Sequence, residues 1–371
     1  MAEIQKVIGL MSGTSLDGVD AALLETDGED IVRPGASLTV SYEPEIRALL
    51  RAALDTASRM GPKSAVPQTI LDTERVLTKA HARAVKTLLD KAGLAAGNID
   101  LIGFHGQTIF HRPDWQWTWQ IGDGALLARL TGIDVINDFR SADVAAGGQG
   151  APLMPLYHAA LARQSAQPSP LVLTNIGGVS QVTYMDGDIV IAFDTGPGNA
   201  LIDDWMLAHT GKPVDQNGDL AASGTAHKGI LECYAEDEFF YREPPKSLDR
   251  MEFHPLLDEL VAARLSPADG AATLAAFTAI AISQAADYFP ASPKAWIVTG
   301  GGRHNSFLVE QLKARVNAPV LKAEEAGWDG DAMEAEGFAY LAARAKRGLP
   351  LSLPTTTGVK QPMTGGKYWK A

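Results

Sequence analysis

Cysteine is almost absent from this chain. Cys233 is the only one in 371 residues, so no intrachain disulfide can form. That suits a reducing compartment and reads as a cytoplasmic protein. Positive charge is scarce as well. Lys and Arg total 32 against 44 Asp and Glu, a net charge of −12, so no broad field attracts nucleic acid or an anionic membrane. A site for an anionic ligand must therefore make its positive potential locally, from backbone amides, a metal ion or a few Arg and Lys. The eight histidines show no close metal-ligand spacing, which argues against a His-bound zinc site. Long apolar runs are missing too. No stretch of about 18 apolar residues exists to span a bilayer, and the start, Met1 to Lys6, lacks the basic flank and apolar region of a signal peptide. The longest candidate, Ala271 to Ala286, is interrupted by Thr273, Thr278, Ser283 and Gln284 and reads as a buried helix.

What is present is 46% hydrophobic residues and enough length for two domains, each with its own core. The chain opens with Val7, Ile8 and Leu10, a turn from Ser12 to Gly18, and then Val19, Ala21, Leu23 and Leu24. Gly13 and Gly18 are the residues expected to supply positive φ in that turn. The hydroxyls of Ser12, Thr14 and Ser15 join amides that few side chains obstruct, which suits close approach to an anion. No P-loop lysine follows, and a strand follows instead of a helix, so neither the Walker nor the dinucleotide pattern applies. An ordinary hairpin would use the same residues. A second copy tips the balance: Thr174 to Tyr184 repeats strand, Gly177-Gly178 turn and alternating strand, and both copies end in an Asp-Gly turn. The repetition suggests a duplicated chain with ATP in a cleft between the halves, each hairpin holding part of its phosphate tail.

The run Gly9 to Asp20 resembles the opening of the 1,6-anhydro-N-acetylmuramic acid kinases of bacterial cell-wall recycling. The likeness continues through Phe104-His105-Gly106-Gln107-Thr108, Asn137 to Asp143, Gly147 to Leu153, Asn175 to Ser180, Phe193 to Ala200 and Thr299 to Gly302, nearly end to end. It implies the actin-like, sugar-kinase and heat-shock-ATPase fold. That is an α/β fold of two duplicated, ribonuclease H-like domains around a nucleotide cleft. Residues 1–150 would form the N-terminal domain and residues 151–371 the C-terminal one. It also implies ATP and Mg²⁺ as cofactors, 1,6-anhydro-N-acetylmuramic acid as substrate, and a homodimer.

Within that resemblance, Asp194 takes the role of general base. The residues alone leave it open as a turn or helix-cap carboxylate. Gly13, Thr14, Ser15, Leu16, Asp17, Gly18, Val19 and Asp20 would hold phosphate, with Asp17 the better candidate for Mg²⁺, through water or directly. Asn175, Gly177 and Gly178 form the second phosphate turn, and Gly300, Gly301 and Gly302 the adenosine loop. His105, Gln107, Arg140, Asp143 and Glu334 would face the sugar. Arg140 is the candidate partner of its lactyl carboxylate. The residues themselves also permit a core histidine at 105, a surface pair Arg140–Asp143, and a helix-dipole role for Glu334. A 1,6-anhydro sugar has no free O6 hydroxyl, so water must open the bridge at C1 before O6 can take the phosphoryl group. Two alternatives stay open: a kinase of another free amino sugar, and a nucleotide-driven binding module of the same fold.

Hydrophobic spacing predicts three strands over residues 6–42, helices over 43–60 and 68–92, and strands over 99–104, 115–121 and 133–136, with a short helix over 122–130. In the second half it predicts strands over 171–175, 179–185, 189–193, 295–299 and 319–321. Helices are expected over 199–209, 266–288, 304–316 and 332–347. The boundary between halves is expected near Gly147–Pro155, and the tail from Pro354 to Ala371 as a surface strap.

Overall fold

Nearly continuous apolar runs build the centre of the first sheet, whose middle strands are buried on both faces. In the computed structural model, which describes residues 3–13 and 15–371, the strands in chain order are β1 (Gln5–Ser12), β2 (Gly18–Thr26), β3 (Val32–Ser41), β4 (Leu101–Arg112), β5 (Trp117–Ile121) and β6 (Val135–Asn137). They continue as β7 (Leu171–Ile176), β8 (Val179–Asp186), β9 (Ile189–Pro197), β10 (Ala295–Thr299), β11 (Val320–Lys322) and β12 (Lys367–Trp369). Two sheets result. One runs β12-β6-β4-β1-β2-β3 with β5 paired to β4, and the other β11-β10-β7-β8-β9.

Each sheet starts from an antiparallel meander, β1-β2-β3 or β7-β8-β9, and adds parallel strands beyond the meander's first strand. The same strand order thus occurs twice, as the duplicated hairpins lead one to expect. The chain divides into two compact units, residues 1–164 with 331–371, and residues 165–330. This differs from a single boundary at 150. The helix Pro155–Gln164 stays with the first unit, and the last 41 residues return to it.

The reason for the return is steric. Helix Met333–Lys346 lies so close on the first sheet that a Cβ on Gly9 would sit 1.7 Å from the carbonyl oxygen of Ala335, and one on Gly103 2.1 Å from that of Phe338. Only glycine on β1 and β4 admits this approach. The tail, largely exposed from residue 360 on, joins the sheet at its end through three residues. β12 pairs antiparallel with β6, and Trp369 Nε1 donates to Asn137 Oδ1 at 2.9 Å. The opposite face of the sheet packs helices Pro44–Ala57, Gln68–Ala92 and Gly124–Thr131 around Ile8, Leu50, Leu77, Phe104 and Leu127. Gly93 in the left-handed region ends Gln68–Ala92.

In the second unit, helix Pro267–Gln284 is the core. Ser266 caps it by accepting from Asp269 N at 3.1 Å, with Pro267 in its first turn. Its small residues bury nearly all round against Trp205, Phe240, Phe253 and Trp296. Among the described residues, no helix is long and apolar enough to cross a membrane.

Candidate active site

The first unit carries two groups of the expected residues. β1 ends at Ser12, whose hydroxyl donates to Gln107 Oε1 at 2.6 Å and accepts from Tyr42 OH at 2.7 Å. All three side chains are buried. In the turn that follows, Leu16 N donates to Gly13 O at 3.2 Å, and Ser15 Oγ donates to Asp17 Oδ1 at 2.9 Å. Thr14 lies outside the described residues. Among the described residues of this turn, the positive φ falls on Leu16, at 56°, and on neither Gly13 nor Gly18. Glycine at 18 answers a different need, since a Cβ there would lie 2.5 Å from Val40 O. Among the described residues, a Cβ on Gly13 would meet Ser15 Oγ at 3.6 Å, an ordinary contact. Leu16 and Val19 put their side chains in the core, which leaves only their backbone to meet a nucleotide. Asp17 is exposed, and Asp20 accepts from Thr39 Oγ1 at 2.5 Å. Asp17 thus offers an accessible hard oxygen of the kind that Mg²⁺ takes alongside phosphate oxygens and water. Among the described residues, no group of three His, Cys, Asp or Glu side chains forms a cage for a metal.

The second group gathers on the helix Met333–Lys346 side of the sheet. The HGQT segment lies inside β4, not after it, because the strand extends to Arg112 in a hairpin with β5. The His105 ring stacks on Phe338 at 4.4 Å. Its Nε2 accepts from Arg140 Nε at 3.1 Å, so the Nδ1 tautomer carries the proton. Burial and the adjacent guanidinium hold His105 well below the ordinary histidine range, and it is neutral at pH 7. Arg140 also donates to Gly150 O at 2.7 Å. Burial lowers its pKa to about 10, while Glu334 and Asp143 oppose the shift by their charge. It remains a cation, a local positive site in an acidic chain. His105, Arg140 and Glu334 are therefore brought together.

Gln107 and Asp143, which the sequence assigns to the sugar, are committed within the protein. Gln107 is fully buried, with Oε1 taken by Ser12 and Nε2 donating to Thr108 O at 3.3 Å. Asp143 Oδ1 accepts from Gly150 N at 2.7 Å, and its Oδ2 accepts from Thr357 Oγ1 at 2.6 Å and from Ser352 Oγ. Its work is to fasten the Gly147–Gly150 loop to the returning tail, a role that no local sequence signal discloses.

In the second unit three motifs far apart in sequence converge. The Gly177-Gly178 turn between β7 and β8 receives the start of helix Ala200–Thr210: Asn199 N donates to Gly177 O at 2.7 Å and Gly198 N to Gly178 O at 2.9 Å. Asn199 Nδ2 reaches Ile176 O at 3.1 Å. Gly300, at φ 74°, packs on the same turn, where a Cβ would meet Asn175 Oδ1 at 2.2 Å. Gly302 leaves no room against Ile176. Buried Arg303 holds the glycine run by donating to Gly300 O at 3.1 Å and pairing with Glu324 at 2.9 Å. Asn175, Gly177, Gly178, Gly300, Gly301 and Gly302 thus surround one backbone-lined turn beside a helix N-terminus, a setting that favours an anion.

Asp194 lies on β9, four residues before the Gly198-Asn199 corner, and is not a helix cap. Its backbone N donates to Lys246 O at 3.0 Å, and its Oδ2 accepts from Leu248 N at 2.9 Å. Burial pushes the carboxyl up to about 7, against the lowering effect of the Leu248 amide. A carboxyl balanced between its two protonation states near neutral pH can exchange a proton with a reacting group.

The model of the anhydro-N-acetylmuramic acid kinase family matches residues 5–371. This chain belongs to that family. Among relatives bearing that family's name, the protein of Paramagnetospirillum magneticum is 52% identical over 97% of this chain and 98% of its own length. That of Rhizorhabdus wittichii is 50% identical over 97% of both chains. That of Agrobacterium fabrum is 50% identical over the whole of both. Membership makes the chain a phosphotransferase, and its two sheets place it in the mixed α/β class.

Proposed function

We propose that this chain is an ATP-dependent kinase that opens the bridge of 1,6-anhydro-N-acetylmuramic acid with water and phosphorylates O6, giving N-acetylmuramic acid 6-phosphate and ADP during cell-wall recycling. The observation that carries the reading is Asp194: a strand carboxylate in a kinase-family chain, fixed by two backbone contacts and raised to about 7 by burial.

O6 of the substrate is an ether oxygen bonded to C1, so no base can activate it directly. Water attacks C1, and one of its protons passes to the Asp194 carboxylate. The C1–O6 bond breaks with its electron pair on O6. That oxygen bonds to the γ-phosphorus as the bond from phosphorus to the bridging oxygen of ADP breaks, and the proton on Asp194 leaves to solvent. Mg²⁺ at Asp17 would neutralise charge on the phosphate oxygens. The amides of the Gly13–Gly18 and Gly177–Gly178 turns hold the phosphates, and the Gly300–Gly302 run holds the adenosine. Arg140, with its charge kept by Glu334 and its guanidinium oriented by His105 and Gly150, meets the lactyl carboxylate. The same reading has the protein working in the cytoplasm as a homodimer, without nucleic-acid or membrane partners.

Turnover in ¹⁸O-water, quenched before anomeric exchange, tests the proposal. Label belongs at O1 and none in the phosphate. Label in the phosphate would mean that water attacks ATP, which defeats the kinase reading. An intact anhydro bridge in the product would defeat ring opening alone.

A further inference from the structure

We infer that Lys246 is a positioning residue for Asp194, acting through the strap that runs from Phe239 to Leu248, an inference that rests on the base reading above. Lysine is rarely buried without a carboxylate partner, yet Lys246 is 9% exposed. Its ammonium lies 4.5 Å from the Tyr288 ring centre, 4.9 Å from that of Phe239 and 5.7 Å from that of Phe193, the residue before Asp194. Two backbone oxygens complete the cage. Nζ donates to Phe239 O at 3.1 Å and to Phe240 O at 3.0 Å. Tyr288 OH donates to the same Phe240 O.

The strap is therefore closed on itself by its own lysine. Lys246 reaches back to residues 239 and 240 and pins them beside β9. From that anchor the next residues meet the base: Lys246 O accepts from Asp194 N, and Leu248 N donates to Asp194 Oδ2. The carboxylate's position depends on where residue 248 lies, and residue 248 is two residues from the anchor. The effect is mechanical. Burial raises the Asp194 carboxyl and the Leu248 amide opposes that rise. The charged groups facing Lys246 are Arg242 and Glu243 from the strap itself. Burial lowers the lysine to about 8, with Arg242 adding to the shift and Glu243 opposing it. The aromatic cage and the carbonyls keep the cation available as a clasp.

The test compares Lys246→Met, Lys246→Arg and Tyr288→Phe with the full-length parent. Carbon-13 titration of the Asp194 carboxyl reads the geometry directly, whatever the residue does in catalysis. Loss of the Leu248 donor removes a contact that favours the ionised form, so Lys246→Met should raise the Asp194 pKa above its parent value. It should also lower kcat on the order of 10²-fold, as expected for a displaced catalytic group, while KM for ATP and for sugar stays close to the parent. Lys246→Arg should recover most of the rate. Tyr288→Phe, which removes only one donor to Phe240 O and leaves the lysine, should move both readouts in the same direction by less and remains informative if Lys246→Met does not fold. An unchanged Asp194 pKa and unchanged kcat in folded Lys246→Met, or in Tyr288→Phe when Lys246→Met is lost, would overturn the inference. Should Asp194→Asn keep full turnover while Lys246→Met still moves the Asp194 pKa, the base reading fails and the positioning stands.

Discussion

Replacing Asp194 with Asn separates what this carboxylate does for catalysis from what it does to stability, because the two effects have opposite sign. In an unfolded chain an aspartate ionises near 3.8, whereas burial raises it to about 7 in the folded protein. The native state therefore binds the proton more tightly. The stability this confers is fully present below about pH 4 and is lost as pH rises through about 7. Each tenfold change in proton affinity is worth about 1.4 kcal/mol, so the full interval corresponds to at most roughly 4 kcal/mol. Asparagine keeps an oxygen to accept from Leu248 N and carries no charge to bury. The variant should match the parent at pH 4 and exceed its stability at pH 8 by a few kcal/mol at most. Its turnover should fall on the order of 10²–10⁴-fold with ligand affinities retained, as expected when a general base is removed. Parent kcat/KM should rise with pH up to about 7 as the carboxylate forms. Chemical denaturation from pH 4 to 8 and steady-state kinetics over the same range supply both readings. Parallel stability curves for the two proteins would refute the buried-carboxylate argument. Near-parental turnover in the variant would remove Asp194 from the base role.

Gly9→Ala should destabilise the first unit by about 1–3 kcal/mol or more, since the new methyl must displace helix Met333–Lys346; a melting temperature within a degree of the parent would contradict the close-packing account. Asp143→Ala leaves the donors of Gly150, Ser352 and Thr357 without their acceptor and should cost about 2–4 kcal/mol, with earlier proteolytic cutting in the segment 352–371, and unaltered cutting would count against the anchor. Gly13→Val has room to fold but places a branched side chain over the amides of the first turn, so calorimetry should show at least about tenfold weaker ATP binding with an unchanged melting temperature. Unchanged ATP affinity would dismiss the turn as a phosphate holder.

The sequence disclosed what depends on local pattern. The two meanders, the long helices and the corner after β9 all follow from short apolar runs between turn residues, 3.6-residue spacing and Gly-Pro punctuation, and each formed within a few residues of its expected span. What stayed hidden depends on residues meeting across hundreds of positions. The smallness of Gly9 and Gly103 reads as turn or strand irregularity until helix Met333–Lys346 is seen against them. The tail, rich in Gly, Pro and Thr, has the composition of a strap, and its three-residue strand β12 is too short to show periodicity. Asp143 and Gln107 are ordinary polar residues beside functional motifs, and only their partners, 12 through Ser12 and 352 and 357 through the tail, reveal that they are fasteners. Positive φ at Leu16 escapes a glycine-based reading altogether, because a neighbouring glycine is the usual suspect. Lys246 carried no signal beyond its two preceding prolines.

The return of residues 331–371 to the first unit sets a timetable for biosynthesis. β1 leaves the ribosome more than three hundred residues ahead of the helix that covers Gly9 and Gly103. At ordinary elongation rates that interval is on the order of tens of seconds. Throughout it, one face of the first sheet lacks its cover, while residues 165–330, a continuous stretch with its own core, emerge whole and can fold first. The nascent chain thus exposes an unfinished apolar sheet until that helix emerges, and this is the stage at which a chaperone would have most to do.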